Sequence, residues 1–238
     1  MRADAPARDA PPVPGFPRRF PVRRDDRRPR RYRLASWGLR RVLGVVPGRR
    51  RIVIDGEGNI PIDGPLLVVS NHLSNIDPIV LGGHFPRTLF AMAKRELFPN
   101  RLIAWLWGGC NVFPINRSGP DRRALRTALD ILSGGRRLLM FVEGTRARRP
   151  GMTRAQPGVG FMARHSPGVP ILPVALWGTE RVLDRGRRLP IHVRYGPTFT
   201  VNSPAGTRPD DQAIADEIAR HIAQLLPAEY RGLYDPAD

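Results

Sequence analysis

Short apolar runs alternate along this chain with segments of helical periodicity, and this alternation restricts the possible folds more than any other feature. Residues 66–69 and 138–140 are apolar runs of the kind that form buried strands. Residues 120–132 and 211–226 repeat apolar side chains at helical spacing. Strands that alternate with helices predict an α/β layered fold.

The remaining elements follow from the same patterns. Gly134 and Gly135 are expected to stop the helix before them, and Pro227 to end the last one. The predicted strands are 51–55, 66–70, 89–93, 111–115, 137–142, 171–177 and 191–195, and the predicted helices are 77–83, 96–107, 120–132, 158–164 and 211–226.

The polar residues after the first buried strand indicate chemistry. His72 and Asp77 follow residues 66–69, and α/β enzymes keep their chemistry where strands end. The imidazole suits a general base, and the carboxylate suits a partner that fixes its tautomer. Since no elbow motif marks a Ser or Cys nucleophile, we predict that His72 deprotonates a substrate hydroxyl that attacks an acyl group. The spacing alone equally fits a hydrogen-bonded loop histidine.

The chain is strongly basic, with a formal net charge of +18 over 238 residues. Residues 1–33 hold 11 arginines and 4 aspartates, and this Pro-rich tail is predicted to be disordered. Its composition is compatible with binding to an anionic bilayer, with binding to nucleic acid, or with a solvated tail that binds nothing. Cys110 is the single cysteine, so no internal disulfide forms and a reducing compartment is expected. No apolar stretch of signal length follows Arg18 and Arg19, so no export signal is predicted.

Two apolar segments suit a membrane surface, although neither reaches the roughly 18–20 apolar residues of a membrane span. Residues 34–46 are amphipathic, with Trp37 and flanking arginines, which is typical of an interfacial anchor. Residues 102–107 hold two tryptophans and fit either a membrane contact or a helix packed in the core.

Four blocks in order resemble the glycerolipid acyltransferase family, in particular 1-acylglycerol-3-phosphate acyltransferases. They are residues 71–77 (Asn-His-Leu-Ser-Asn-Ile-Asp), 109–117, 141–146 (Phe-Val-Glu-Gly-Thr-Arg) and 169–174. The resemblance implies an α/β fold with a central mixed sheet flanked by helices, and an N-terminal amphipathic membrane-associating segment. It also implies acyl transfer to the sn-2 hydroxyl of lysophosphatidic acid, giving phosphatidic acid for phospholipid biosynthesis. The donor would be an acyl thioester of coenzyme A or acyl carrier protein.

The resemblance assigns catalysis to His72 as base and Asp77 as its orienting partner, with no cofactor. No metal is required, and His72, Asp77 and His84 lack a credible further ligand. Arg117 and Arg146 stand at the family's phosphate-binding positions, and guanidinium groups match phosphate in a bidentate way. Residues 143–145 resemble its acceptor-binding turn, where Glu143 is expected to orient Arg146 or glycerol hydroxyls. The expected substrate-binding residues are Lys94, Arg117, Glu143, Gly144, Thr145 and Arg146.

Lys94 is singled out because it is the one lysine beside 38 arginines. A compact ammonium group is not reproduced by Arg, and residues 93–98 resemble the family's Lys-containing segment. Ala147 and Gln156 depart from the family pattern, which keeps another acceptor open, such as glycerol 3-phosphate or a different lysolipid. A further alternative is a catalytically inactive polyanion-binding protein.

These features divide the chain into an Arg/Pro-rich tail (1–33), an amphipathic interfacial segment (34–50), an acyltransferase domain (51–200) and a C-terminal helix and tail (201–238). We expect a peripheral enzyme on the cytoplasmic face of the cell membrane. Its expected partners are lysophosphatidic acid, an acyl thioester and an anionic membrane surface, with acyl carrier protein as one of the two alternative carriers of the acyl group, whereas nucleic acid is not favoured.

Overall fold

A seven-stranded sheet forms the centre of the protein. The computed structural model describes residues 52–116, 121–147, 151–182, 190–201 and 210–236. The predicted tail and amphipathic segment (1–33 and 34–50) lie outside these residues. The strands are β1 (Ile52–Asp55), β2 (Leu66–Ser70), β3 (Leu89–Lys94), β4 (Val112–Ile115), β5 (Arg137–Phe141), β6 (Ile171–Trp177) and β7 (Ile191–Tyr195).

The sheet is mixed, as predicted, with the strand order β1-β7-β6-β2-β5-β3-β4. Strands β6, β2, β5, β3 and β4 are mutually parallel. Strand β7 runs antiparallel to β6, and β1 is parallel to β7. The carboxyl ends of β2, β5 and β3 therefore meet at one edge, where ligands bind in open α/β sheets.

Helices cover both faces of the sheet. They are α1 (Asp77–His84), α2 (Arg101–Gly109), α3 (Arg122–Ser133), α4 (Pro157–Arg164), α5 (Asp211–Ala223) and α6 (Ala228–Arg231). Short 3-10 turns lie at Glu57–Asn59, Arg95–Leu97 and Gly232–Tyr234. Among the described residues, none of the helices combines the length and apolar character needed to cross a membrane.

Strand β2 is buried on both faces, which explains its unbroken apolar sequence. Alternate residues point to opposite faces. Leu67 and Val69 join a core with α3, α4 and α5. Leu66 and Val68 join a second core that includes Val80 and Leu81 of α1. A large apolar layer on each side thus fixes the strand whose end carries His72.

The predicted elements are present, with three differences. The helix expected at 96–107 is divided, because Pro99 disfavours helical backbone at the residue before it, and α2 starts only at Arg101. The last helix ends at Ala223, and the short helix α6, which was not predicted, follows Pro227. The apolar residues expected at helical spacing in α3 are not equally buried: Leu125 and Leu129 are only partly buried against the core. The fully buried residues are Ala124, Ala128, Ile131 and Leu132.

Candidate active site

The loop after β2 is held in place by the neighbouring strand β6. Asn71 is buried, and its side-chain Nδ2 donates to the carbonyl of Leu176 at 2.8 Å. Its Oδ1 accepts the Leu176 backbone N–H at 2.9 Å. A carboxamide that replaces two strand hydrogen bonds in this way fixes where β2 ends, and it therefore fixes the position of His72, the next residue.

His72 and Asp77 meet as predicted. Nδ1 of His72 lies 2.8 Å from Oδ2 of Asp77, and the aspartate is fully buried. The same oxygen accepts the backbone N–H groups of Leu73 and Ser74, each at 2.7 Å. Oδ1 of Asp77 is buried without a hydrogen-bond partner among the residues that the structure describes. The carboxylate is therefore rigidly placed as an acceptor for the imidazole.

This geometry selects one tautomer of His72. Because Asp77 can only accept when ionised, Nδ1 carries the proton and Nε2 keeps its lone pair. Nε2 has no partner within the described part of the chain. The ring stacks on Phe141 with centroids 4.1 Å apart, and the side chain is 12% exposed. The imidazole is thus oriented, shielded on one face and available as a proton acceptor.

Glu143 differs from the sequence-based expectation that it orients Arg146 or glycerol hydroxyls. Its side chain is buried, and Oε1 accepts the backbone N–H of His72 at 3.0 Å. Oε2 accepts the backbone N–H and hydroxyl of Thr153 at 3.0 and 2.7 Å. Since β2 and β5 are paired neighbours, the residue after β5 turns inward to these donors, and its carboxylate holds backbone within the protein.

An apolar cavity of about 180 Å³ opens beside His72. It lies between helix α1 and strands β3, β4 and β5, with Cys110 in its wall. Burial raises the pKa of the Cys110 thiol, which keeps it neutral and a poor nucleophile. The lining is mainly aliphatic and aromatic, and includes Ile79, Gly82, Leu89, Ala91, Leu97, Trp107, Val112, Leu139 and Phe141. The chemistry of this lining matches a hydrocarbon chain.

The predicted substrate-binding residues occupy the same sheet edge where the structure describes them. Lys94 ends β3, and Thr145 and Arg146 follow β5; all three are exposed. Gly144 has a left-handed backbone (φ 66°), and a Cβ there would come within 3.0 Å of Gln156. Only glycine adopts this turn readily. Arg117 lies outside the described residues.

No group of three or more His, Cys, Asp or Glu side chains within the described ranges is arranged to hold a metal ion. Nδ1 of His84 lies 3.0 Å from the carbonyl of Val80 in its own helix. Sequence reasoning missed Asn71, Phe141 and Thr153 as site residues. Asn71 opens the His72 block and Phe141 the Glu143 block, so the motif contained a signal for both, whereas Thr153 lies in no recognisable pattern.

This arrangement has close parallels in known proteins. The family described as Acyltransferase matches residues 51–177. A 1-acyl-sn-glycerol-3-phosphate acyltransferase of Bacillus subtilis is 27% identical over 154 residues, covering 62% of this chain and 71% of that protein. A lyso-ornithine lipid O-acyltransferase of Pseudomonas aeruginosa is 32% identical over 149 residues, covering 62% of this chain and 55% of that protein.

A solved structure agrees with the observed topology. The crystal structure of the 1-acyl-sn-glycerophosphate (LPA) acyltransferase PlsC from Thermotoga maritima superposes with a TM-score of 0.63 at 25% identity, covering 82% of this chain and 79% of that chain. The fold and the match to the family define an acyltransferase. The chain belongs to the Acyltransferase family, as its four sequence blocks predicted.

Proposed function

We propose that this enzyme transfers an acyl group from an acyl thioester to the sn-2 hydroxyl of 1-acylglycerol 3-phosphate, giving phosphatidic acid. The observation that carries the proposal is the position of His72. Its imidazole is held by Asp77 at 2.8 Å and lies at an apolar cavity. It also belongs to the sheet edge that carries Lys94 and Arg146. A lipid with an anionic headgroup needs an apolar site for its acyl chain and cationic side chains for its headgroup.

In the proposed reaction, Nε2 of His72 accepts the proton of the sn-2 hydroxyl as its oxygen attacks the thioester carbonyl. The C–O bond forms, the C–S bond breaks, and the departing thiolate takes the proton back from His72. Asp77 stays ionised and stabilises the imidazolium between these steps. The mechanism needs no cofactor, and the donor is acyl-coenzyme A or acyl carrier protein.

The two ends of the substrates have different partners in this scheme. The apolar cavity beside His72 receives an acyl chain, because burying each methylene contributes about 0.8 kcal/mol. The acceptor phosphate lies toward Lys94 and Arg146. Arg117, which lies outside the described residues, is the further phosphate ligand that the sequence predicts. Gly144 and Thr145 allow the backbone after β5 to approach the headgroup closely. Glu143 contributes by holding the loop, since its oxygens are already engaged.

We also propose that the enzyme is peripheral to the cytoplasmic face of the cell membrane. Leu97, Leu102 and Trp105 form an exposed apolar patch, with 50%, 65% and 52% of their areas accessible. Leu97 also lines the cavity, so the patch and the cavity share this residue. Arg101 is exposed beside it, which suits anionic lipid headgroups. A lysolipid could then enter the cavity directly from the bilayer.

Two observations favour a second acceptor. The Pseudomonas aeruginosa relative is named for a lyso-ornithine lipid, and residues Ala147 and Gln156 depart from the family pattern noted above. An acceptor without the glycerol phosphate headgroup uses the same His72 chemistry. In that case the cavity and base are retained, and the residues after β5 meet a different headgroup.

The test is acyl transfer from a long-chain acyl-coenzyme A in anionic vesicles. Lysophosphatidic acid competes there with glycerol 3-phosphate, lysophosphatidylcholine and a lyso-ornithine lipid, and wild type is compared with His72→Ala. Phosphatidic acid formed only by the wild type supports the proposal. A different acylated product keeps the mechanism and changes the acceptor. If every acceptor fails with both coenzyme A and carrier-protein donors, the catalytic proposal is wrong, and salt-sensitive polyanion binding is measured next.

A further inference from the structure

The backbone of residues 152–156 is held from two sides. On one side, Thr153 donates to Glu143, and the N–H of Gln156 donates to the carbonyl of Val142 at 2.8 Å. On the other side lies the C-terminal part of the chain. This segment therefore connects the turn after β5, where Glu143 supports His72, to residues far along the sequence.

The C-terminal contacts converge on two residues of this segment. The N–H of Leu233 donates to the carbonyl of Met152 at 3.0 Å. The phenol oxygen of Tyr234 accepts the N–H of Ala155 at 2.9 Å and donates to Oδ1 of Asp216 on α5 at 2.6 Å. Burial and this bond to Asp216 raise the pKa of Tyr234 to about 12, so the phenol keeps its proton at neutral pH.

The contacts form one continuous series from Tyr234 to the base. Tyr234 fixes Ala155, two residues after Thr153, and Thr153 bonds Oε2 of Glu143. Oε1 of the same carboxylate receives the N–H of His72 at 3.0 Å. The carbonyl of His72 accepts the N–H of Ala147 at 2.9 Å. Both polar groups of the His72 backbone are thus anchored to the segments that follow β5.

We propose that Tyr234 is a positioning residue for His72, acting through Ala155, Thr153 and Glu143. This inference rests on the proposed role of His72 as the general base. It places a functional group outside residues 51–177, the part of the chain that matches the family. Loss of the phenol leaves the N–H of Ala155 without its acceptor and relaxes the segment that holds Glu143. Small displacements of a catalytic group lower turnover without changing substrate affinity.

Tyr230 provides a matched control. It lies four positions earlier, and its hydroxyl donates to Oε1 of Glu180 at 2.7 Å, away from residues 152–156. The carbonyl of Tyr230 accepts the N–H of Met152, and a phenylalanine keeps that carbonyl. Tyr230→Phe therefore removes one phenol hydrogen bond, to Glu180. Tyr234→Phe removes two, to Asp216 and to the N–H of Ala155, and only the second of these reaches the segment.

The experiment compares kcat, both KM values and the melting temperature of the two variants. We expect Tyr234→Phe to lower kcat about tenfold, the scale of the one lost hydrogen bond that reaches the segment, from Ala155, with both KM values unchanged. Tyr230→Phe should keep kcat near the wild-type value at a similar melting temperature. Equal kcat values for the two variants would overturn the proposal.

A spectroscopic readout separates this inference from the proposed reaction. The Nδ1–H proton of His72, bonded to Asp77, gives an NMR signal that is assigned by its absence in His72→Ala. The signal should shift or broaden in Tyr234→Phe and remain in place in Tyr230→Phe, whichever acceptor the enzyme uses. An unchanged signal in both would contradict the inference, even if the acyl transfer itself were confirmed.

A pair of variants at Thr153 covers the case that Tyr234→Phe does not fold. Thr153→Val removes the hydroxyl that donates to Glu143 and keeps the shape of the side chain, whereas Thr153→Ser keeps the donor. We expect a kcat loss in the valine variant and recovery in the serine variant. Thr127→Val, whose hydroxyl bonds only Arg123 in helix α3, is the control. If Thr153→Val and Thr127→Val have equal kcat values, the proposed coupling of Thr153 to His72 through Glu143 is wrong.

Discussion

Oε1 of Glu143 accepts the backbone N–H of His72 at 3.0 Å, so a buried carboxylate holds His72 by its main chain. The imidazole is fixed separately, by Asp77 at 2.8 Å. Two buried carboxylates thus act on the same residue from different directions. The first sets where the ring lies, and the second sets which ring nitrogen is free to accept a proton.

Replacing Glu143 by Gln should therefore reduce both stability and turnover. The amide keeps one acceptor oxygen, but its NH₂ group would face either the N–H of His72 or the donors of Thr153. Two buried donors that face each other leave one hydrogen bond unmade, which should lower the free energy of unfolding by about 1–3 kcal/mol. Urea unfolding measures this change. Turnover should fall with little change in the KM for lysophosphatidic acid. Glu217→Gln, at an exposed position of α5, is the control. Equal losses of stability and turnover in the two variants would show that Glu143 does not support His72.

The Asp77→Asn variant tests the tautomer of His72. An asparagine can donate to Nδ1, which would place the proton on Nε2 and leave no base facing the substrate. In serine proteases the equivalent change lowers kcat about 10⁴-fold, and a loss of about 10³–10⁴-fold is expected here. Circular dichroism should remain native. Asp130→Asn, at an exposed position of α3, is the matched change, and retained turnover in Asp77→Asn would contradict the mechanism.

The sequence predicted the strands that carry the site, because β2 and β5 are buried on both faces and read as unbroken apolar runs. It also predicted that His72 and Asp77 would meet. His72 lies just after β2 and Asp77 begins the helix that follows, so the two residues are separated by a short loop. It predicted the acyltransferase family from four ordered blocks. These features depend on local patterns or on motifs that can be read along the chain.

The role of Glu143 could not be predicted in the same way. Its partners, His72 and Thr153, depend on the pairing of β2 with β5 and on a loop without periodicity. The contact between Tyr234 and Ala155 joins residues 79 positions apart, and no local pattern identifies such a pair. The division of the helix at Pro99 was readable in principle, since proline restricts the preceding residue.

Filling the cavity should change the choice of acyl donor. Gly82 lines it on helix α1, and a Cβ there meets no atom within 4 Å, so Gly82→Leu projects into open space. Each methylene that is excluded costs about 0.8 kcal/mol, and excluding two lowers kcat/KM about tenfold. The ratio of kcat/KM for long over short acyl-coenzyme A should fall. Gly158→Leu, also with open space around its Cβ, should leave that ratio unchanged. If the ratio falls in both variants, the acyl chain does not bind in this cavity.

The exposed apolar patch of Leu97, Leu102 and Trp105 predicts where a bilayer makes contact. Leu102→Glu replaces an apolar side chain with an anion, and losing the burial of one leucine costs about 1.5–3 kcal/mol. Affinity for anionic vesicles, measured by co-sedimentation, should fall tenfold or more. Ile62→Glu is the control, because Ile62 is 95% exposed and lies before β2, at the opposite end of the parallel strands.

The same vesicle assay compares the patch with the amphipathic segment 34–50, which lies outside the described residues. Deletion of residues 1–47 removes most of that segment and the Arg-rich tail, with the +7 charge that residues 1–33 carry. If the tail and segment supply the electrostatic attraction and the patch supplies apolar insertion, the deletion should weaken binding mainly at low salt, since surface charges are screened by salt. Leu102→Glu should weaken binding at both low and high salt. Equal vesicle affinities of Leu102→Glu and Ile62→Glu would show that the patch does not enter the bilayer, and the membrane contact would then belong to the N-terminal residues alone.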